Sequence, residues 1–73
     1  MKKVDIRELM TSSFAIMDFV RELRFIVKND AQGSIRNVNV AREEAAADMR
    51  YEGYSDREIK AIFRRIEKYF GLR

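Results

Sequence analysis

The sequence predicts a small all-α domain, a three-helix unit in which a C-terminal helical hairpin packs on a long or broken N-terminal helix. Three observations predict it. Ser55-Asp56-Arg57-Glu58 is a capping box followed by apolar residues at helical spacing. An alanine-rich segment before it stops at Gly53. The first segment opens on Asp5-Ile6-Arg7-Glu8, which has the shape of a second capping box with Asp in the Ser/Thr position.

From Asp5 the apolar pattern runs as one helix to about Lys28, roughly 35 Å at ~1.5 Å per residue. Ile6, Leu9, Ile16, Val20, Leu23 and Val27 form one face, flanked by Phe19 and Ile26. Thr11-Ser12-Ser13 is the place where this helix would break, because these hydroxyls favour caps and turns over helix interior. The second helix is expected over Val40 to Glu52, capped by Asn37 or Asn39, with Val38, Ala41, Ala45 and Met49 as its packing stripe. Small residues in that stripe let the third helix approach closely.

The third helix is expected over 56–70. Ile59, Ile62, Phe63, Ile66 and Phe70 are its stripe, with Tyr69 at the edge, and Gly71 ends it. The link Gly53-Tyr54-Ser55 is short enough to force the hairpin. One alternative is α+β. Arg24 to Lys28 and Ile35 to Val40, on either side of Asn29 to Ser34, are rich enough in β-branched and aromatic residues for a β-hairpin at about 24–40.

The chain has 73 residues, which predicts one domain over 1–73. A chain this short buries about 60% of its unfolded surface, so helix packing or a core shared with a second copy must stabilise it. It contains no Cys and no His. That excludes disulfides, thiolate metal sites and Ser-His-Asp or Cys-His catalysis within one chain. Gly33 is a lone glycine and builds no phosphate loop. The hydroxyls of Thr11, Ser12, Ser13, Ser34 and Ser55 are read as caps and turns. Glu44, Asp48 and Glu52 lie one turn apart and could share a hard cation, but no second such helix completes a cage, so they read as a solvated face. The expectation is therefore no catalytic residue, no metal, no cofactor and no small-molecule substrate.

No apolar run approaches the roughly 20 residues of a membrane span. Met1-Lys2-Lys3-Val4-Asp5 has basic residues without an apolar stretch behind them, unlike a secretory signal. The sequence thus predicts a cytoplasmic protein without a membrane partner.

Two surfaces remain as candidates. The formal charge is +1 over residues 1–33, −1 over 34–53 and +3 over 54–73, so the positive excess falls on the last helix. There Arg57, Lys60, Arg64 and Lys68 lie opposite the apolar stripe, with Arg65 beside them. Lys60–Arg64 and Arg64–Lys68 are like-charge pairs that each oppose the helix by about 0.2–0.5 kcal/mol. Only Asp56 is placed to pair with Lys60. Such a row invites an anionic partner such as nucleic-acid phosphate, although basic residues near a helix end also complement its dipole.

Gly53-Tyr54-Ser55 with Ile59 and Ile62 resembles the turn of helix-turn-helix proteins. The pattern departs at Met49, where a small residue is usual, and at Asp56 and Glu58, two acids at the base-reading end.

The second surface is on the first helix. Met10, Phe14, Met17 and Phe25 lie off its main face beside Arg21 and Lys28, more apolar surface than one stripe needs. Met and aromatic residues are enriched at interfaces. The sequence thus predicts a non-enzymatic regulator, adaptor or inhibitor. It would bind a protein partner through Met10, Phe14, Met17, Arg21 and Phe25, with homodimerisation through the same strip. The alternative is a nucleic-acid binder using Arg57, Lys60, Arg64, Arg65 and Lys68.

Overall fold

The computed structural model describes residues 4–29 and 34–72, with the side chains of all but 34–36. Among the described residues the chain forms four helices and no strand: α1 (Ile6–Met10), α2 (Phe14–Asn29), α3 (Ser34–Tyr51) and α4 (Asp56–Tyr69). The all-α prediction holds, and the first helix takes its broken form. The alternative hairpin does not form: residues 24–29 continue α2 and 34–40 open α3. Gly33 and the rest of 30–33 lie outside the described residues, as does the basic start at residues 1–3.

The break is made by the three hydroxyls. Thr11 Oγ1 donates to the Arg7 carbonyl at 3.1 Å and Ser12 Oγ donates to the Leu9 carbonyl at 2.7 Å, which closes the end of α1. Ser13 then starts α2. Its Oγ accepts from the Ile16 amide at 3.2 Å and its carbonyl accepts from the Met17 amide at 2.9 Å, as an N-cap does.

The break also corrects one residue. A continuous helix would put Met10 on the outward side with Phe14. Interrupting the helix changes the phase, and Met10 turns into the core at 7% exposure. Asp5 stands at the N-cap of α1 without a side-chain hydrogen bond, so the predicted Asp5–Glu8 box does not form and the exposed carboxylate stays in water.

α3 begins six residues before the predicted Val40. Asn37 and Asn39 therefore lie inside it rather than at its N-cap position. Both residues have modest helix propensity, but Val38 and Ala41 at helical spacing bury against α2, and that burial overrides the local preference. α4 matches its prediction to within one residue at the C-terminus. Ser55 Oγ accepts from the Glu58 amide at 3.1 Å, and Glu58 Oε1 accepts from the Ser55 amide at 2.8 Å. Gly53 (φ 102°) and Gly71 (φ 75°) take the left-handed conformation that ends α3 and α4. At each the following residue bonds back five positions, Tyr54 N to the Met49 carbonyl at 3.0 Å and Leu72 N to the Glu67 carbonyl at 2.8 Å.

The small residues of α3, expected to seat the last helix, chiefly receive α2: α2 packs most extensively on α3, and α4 lies against α3 and α1. The core joins Ile16, Phe19, Val20, Leu23 and Ile26 of α2 to Val38, Ala41, Ala45 and Met49 of α3 and Ile59, Ile62, Phe63 and Ile66 of α4. Phe19 and Phe63 meet with ring centroids 4.6 Å apart. Val27, predicted on the core face, is 46% exposed at the far end of α2. Ile6, Leu9 and Phe70 pack partly buried at the margin of the core.

Candidate functional site

α2 keeps α3 on one side and leaves the opposite side uncovered. Phe14 is 81% exposed and Phe25 65% exposed. They stand three helical turns apart, about 16 Å along the axis. Met17 is also exposed, and Arg21 lies between the two rings, its Nη2 3.5 Å from Asp18 Oδ1. Four of the five predicted interface residues thus share one open flank. Met10 does not belong with them, because it fills the core.

Beside this flank, Arg7, Arg21 and Arg24 line a depression of about 480 Å³ whose apolar floor is Met10, Met17 and Val20. Tyr69 reaches it from α4. On the other flank the α2–α3 groove is predominantly acidic: Asp18, Glu22, Glu44 and Asp48 line it, with Arg21 as its one base. Glu52 is not part of that row. Its Oε2 accepts from the Ala15 amide at 3.3 Å and so satisfies a donor at the start of α2. Among the described residues no group of three or more acidic side chains could hold a metal ion.

The predicted basic row of α4 divides. Lys60 and Arg64 turn towards α3, where Arg42 and Arg50 join them around a groove of about 460 Å³ with Ile59 and Phe63 in its floor. Arg57 and Lys68 are exposed further round α4, and Arg65 is half-buried on the other side of Lys68. Asp56 pairs with Arg50 rather than with Lys60: Arg50 Nε donates to Asp56 Oδ1 at 2.8 Å. That hydrogen bond, with the charges of Arg50 and Lys60, holds the Asp56 carboxyl below its ordinary range. Glu58 also titrates low, because the Ser55 amide and hydroxyl hydrogen-bond its carboxylate.

α3 therefore carries opposite charge on its two flanks, acidic towards α2 and basic towards α4. The residue pair that fixes the basic side does not follow from the sequence pattern. Glu67 of α4 is fully buried, and Arg42 of α3 reaches it with two nitrogens. Arg42 Nε donates to Glu67 Oε2 at 2.7 Å, its Nη2 donates to Oε1, and its Nη1 donates to Asn39 Oδ1 at 2.8 Å. The hydrogen bond to Glu67 raises the Arg42 pKa, against the opposing effect of burial. The signal in the sequence is the place of Glu67 on the helix, one turn after Phe63 at the margin of the apolar stripe.

No helix among the described residues is long and apolar enough to cross a membrane. No protein-family model matches the chain, and no curated protein or solved structure does so either.

Proposed function

We propose that the protein is a non-enzymatic interaction module of the cytoplasm, a regulator, adaptor or inhibitor that docks on a protein through the outer flank of α2. One observation carries this reading: Phe14 and Phe25 project from one face, three turns apart, with Met17 and Arg21 between them. Two nearly bare phenylalanines expose apolar area that a free monomer gains nothing by displaying. Arg between aromatics is the composition of interface centres. Without imidazole or thiol the chain cannot build a Ser-His or Cys-His pair, so the common nucleophilic arrangements lend no support to an enzymatic reading.

The test is site-specific photo-cross-linking. A photoreactive phenylalanine analogue at position 14 or 25 should give protein adducts, and the same group at exposed Ala47 of α3 should give none. Adducts absent from 14 and 25, or equal at 47, would sink the reading.

A second reading is favoured by the α3–α4 groove, where Lys60 and Arg64 meet Arg42 and Arg50. Cations supplied by two helices and spaced along one groove suit a phosphate backbone. Labelled duplex DNA, single-stranded DNA and RNA titrated at low and physiological salt decide it. Binding absent even at low salt would dismiss the groove as a nucleic-acid site.

A further inference from the structure

The outer face of α2 is complementary to itself. Phe14, Asp18, Arg21 and Phe25 follow one another at intervals of four, three and four residues, the spacing of a coiled-coil seam. From either end the series reads aromatic, charged, charged, aromatic, and the two charges have opposite signs. An antiparallel two-fold crossing α2 between Phe19 and Val20 sets Phe14 against the partner's Phe25. It sets Asp18 against the partner's Arg21, and the symmetry then repeats both contacts. Parallel pairing would instead stack Asp18 on Asp18 and Arg21 on Arg21, like charge on like charge. In the antiparallel register the flanking positions bring Met17 to the partner's Arg24 and Ala15 to the partner's Glu22. No like charges of the two α2 helices are opposed there.

The structure leaves this face open to a second copy. Both phenylalanines are exposed, and the Arg21 and Asp18 side chains are 77% and 60% accessible, within reach of each other in one chain. We infer that the protein covering α2 is a second copy of this chain, bound antiparallel through these four layers. The inference rests on the reading that the α2 flank docks on a protein, and it names that protein. Aromatic outer layers supply the apolar burial, and the two central charge pairs fix register and direction.

The chain has no cysteine, so single thiols report the geometry directly. Phe14→Cys protein mixed with Phe25→Cys protein should form the mixed 14–25 disulfide under mild oxidation, and neither alone should link efficiently to itself. Positions 14 and 25 are about 16 Å apart in one chain, beyond the reach of a disulfide. In sedimentation equilibrium the parent should approach twice its 8.7 kDa mass as concentration rises through the micromolar range. Arg21→Asp should weaken the dimer at least tenfold, and Asp18→Arg with Arg21→Asp should restore it, because the swapped charges again meet their opposites.

Efficient self-linking of Phe14→Cys would overturn the antiparallel register. A parent that stays monomeric at every concentration would overturn the second copy. If that monomer still gives adducts from positions 14 and 25 to another protein, docking through α2 stands and only its occupant changes. A dimer that survives both Phe14→Asp and Phe25→Asp would overturn this inference, and if positions 14 and 25 then give no adducts either, the docking reading falls with it. Circular dichroism of each variant confirms that the helices are retained.

Discussion

Arg42 of α3 holds the fully buried carboxylate of Glu67 on α4 with a two-nitrogen grip, Nε lying 2.7 Å from Oε2. A buried carboxylate is costly to dehydrate, and the bidentate guanidinium offsets that cost in the geometry where it is strongest. Arg42 itself stays about one-third accessible, so its charge keeps some hydration. Arg42→Ala strands a buried charge and should destabilise the fold by about 3 kcal/mol, at the lower end for broken buried pairs. Replacing both residues, Arg42→Met with Glu67→Leu, should recover most of that loss. Urea denaturation of the three variants checks the pair. Equal stability of single and double variants would show that the contact contributes little.

Met10 and Phe14 lie four residues apart and should respond in opposite ways. Met10→Ala removes a core side chain and should cost about 2–5 kcal/mol of stability. Phe14→Asp changes an exposed position and should leave stability within about 0.5 kcal/mol while abolishing docking on α2. Thermal melts and sedimentation of the two variants separate the roles.

Acid should weaken the fold through the α3–α4 turn. Asp56, bonded by Arg50, and Glu58, bonded by Ser55, both titrate below their ordinary values. A lowered folded pKa means that the unfolded chain binds the proton more readily. The stabilisation is then complete above the ordinary carboxylate range and is lost as pH falls through the lower, folded values. The urea midpoint should hold steady above about pH 5 and fall below it. Asp56→Asn with Glu58→Gln should start lower and lose less on acidification. A parent and variant with parallel pH profiles would contradict this.

Ser13→Ala should destabilise α2 by about 1 kcal/mol, since it removes the acceptor of the Ile16 amide. Ser12→Ala, which removes only a donor to an exposed carbonyl, should cost less. Denaturation curves of the two neighbours make the comparison.

If the α3–α4 groove binds nucleic acid, affinity should fall with salt at a slope near −0.9 per phosphate neutralised on duplex DNA. Lys60→Gln with Arg64→Gln should flatten that slope by about two phosphates. An unchanged slope would place any binding elsewhere.

The elements most legible in the sequence are those with local signals. The Ser55–Glu58 box, the stripe from Ile59 to Ile66 and the two terminal glycines place α4 and the end of α3, because capping and periodicity act within one or two turns. The stripe Val38, Ala41, Ala45, Met49 is legible even though the start of its helix is not, since burial depends on spacing rather than on the cap. What stays hidden depends on distance along the chain. Arg42 and Glu67 are 25 residues apart, and Glu52 and Ala15 are 37 apart. No local pattern pairs either couple. Met10 is misplaced by a wheel drawn through Thr11-Ser12-Ser13, which keeps a phase that those hydroxyls reset. Of the candidate surfaces, the strip of Phe14, Met17, Arg21 and Phe25 survives as one flank. The α4 row becomes half of a two-helix groove whose other half, Arg42 and Arg50, lies on α3.

The Glu52 contact has a consequence for the order in which the molecule can assemble during synthesis. The Ala15 amide, at the head of α2, takes an acceptor that the ribosome adds 37 residues later. Arg42 likewise waits for Glu67, near the end of α4. A nascent chain that has released only α1 and α2 holds an apolar helix with an open head and no helix to cover it. Closure comes when α3 emerges and supplies at once the alanine stripe and the carboxylate. Completion follows only with α4. Covering of α2 therefore waits on the third helix, and a chain stopped before Val38 should stay open along α2 however favourable its own helix sequence.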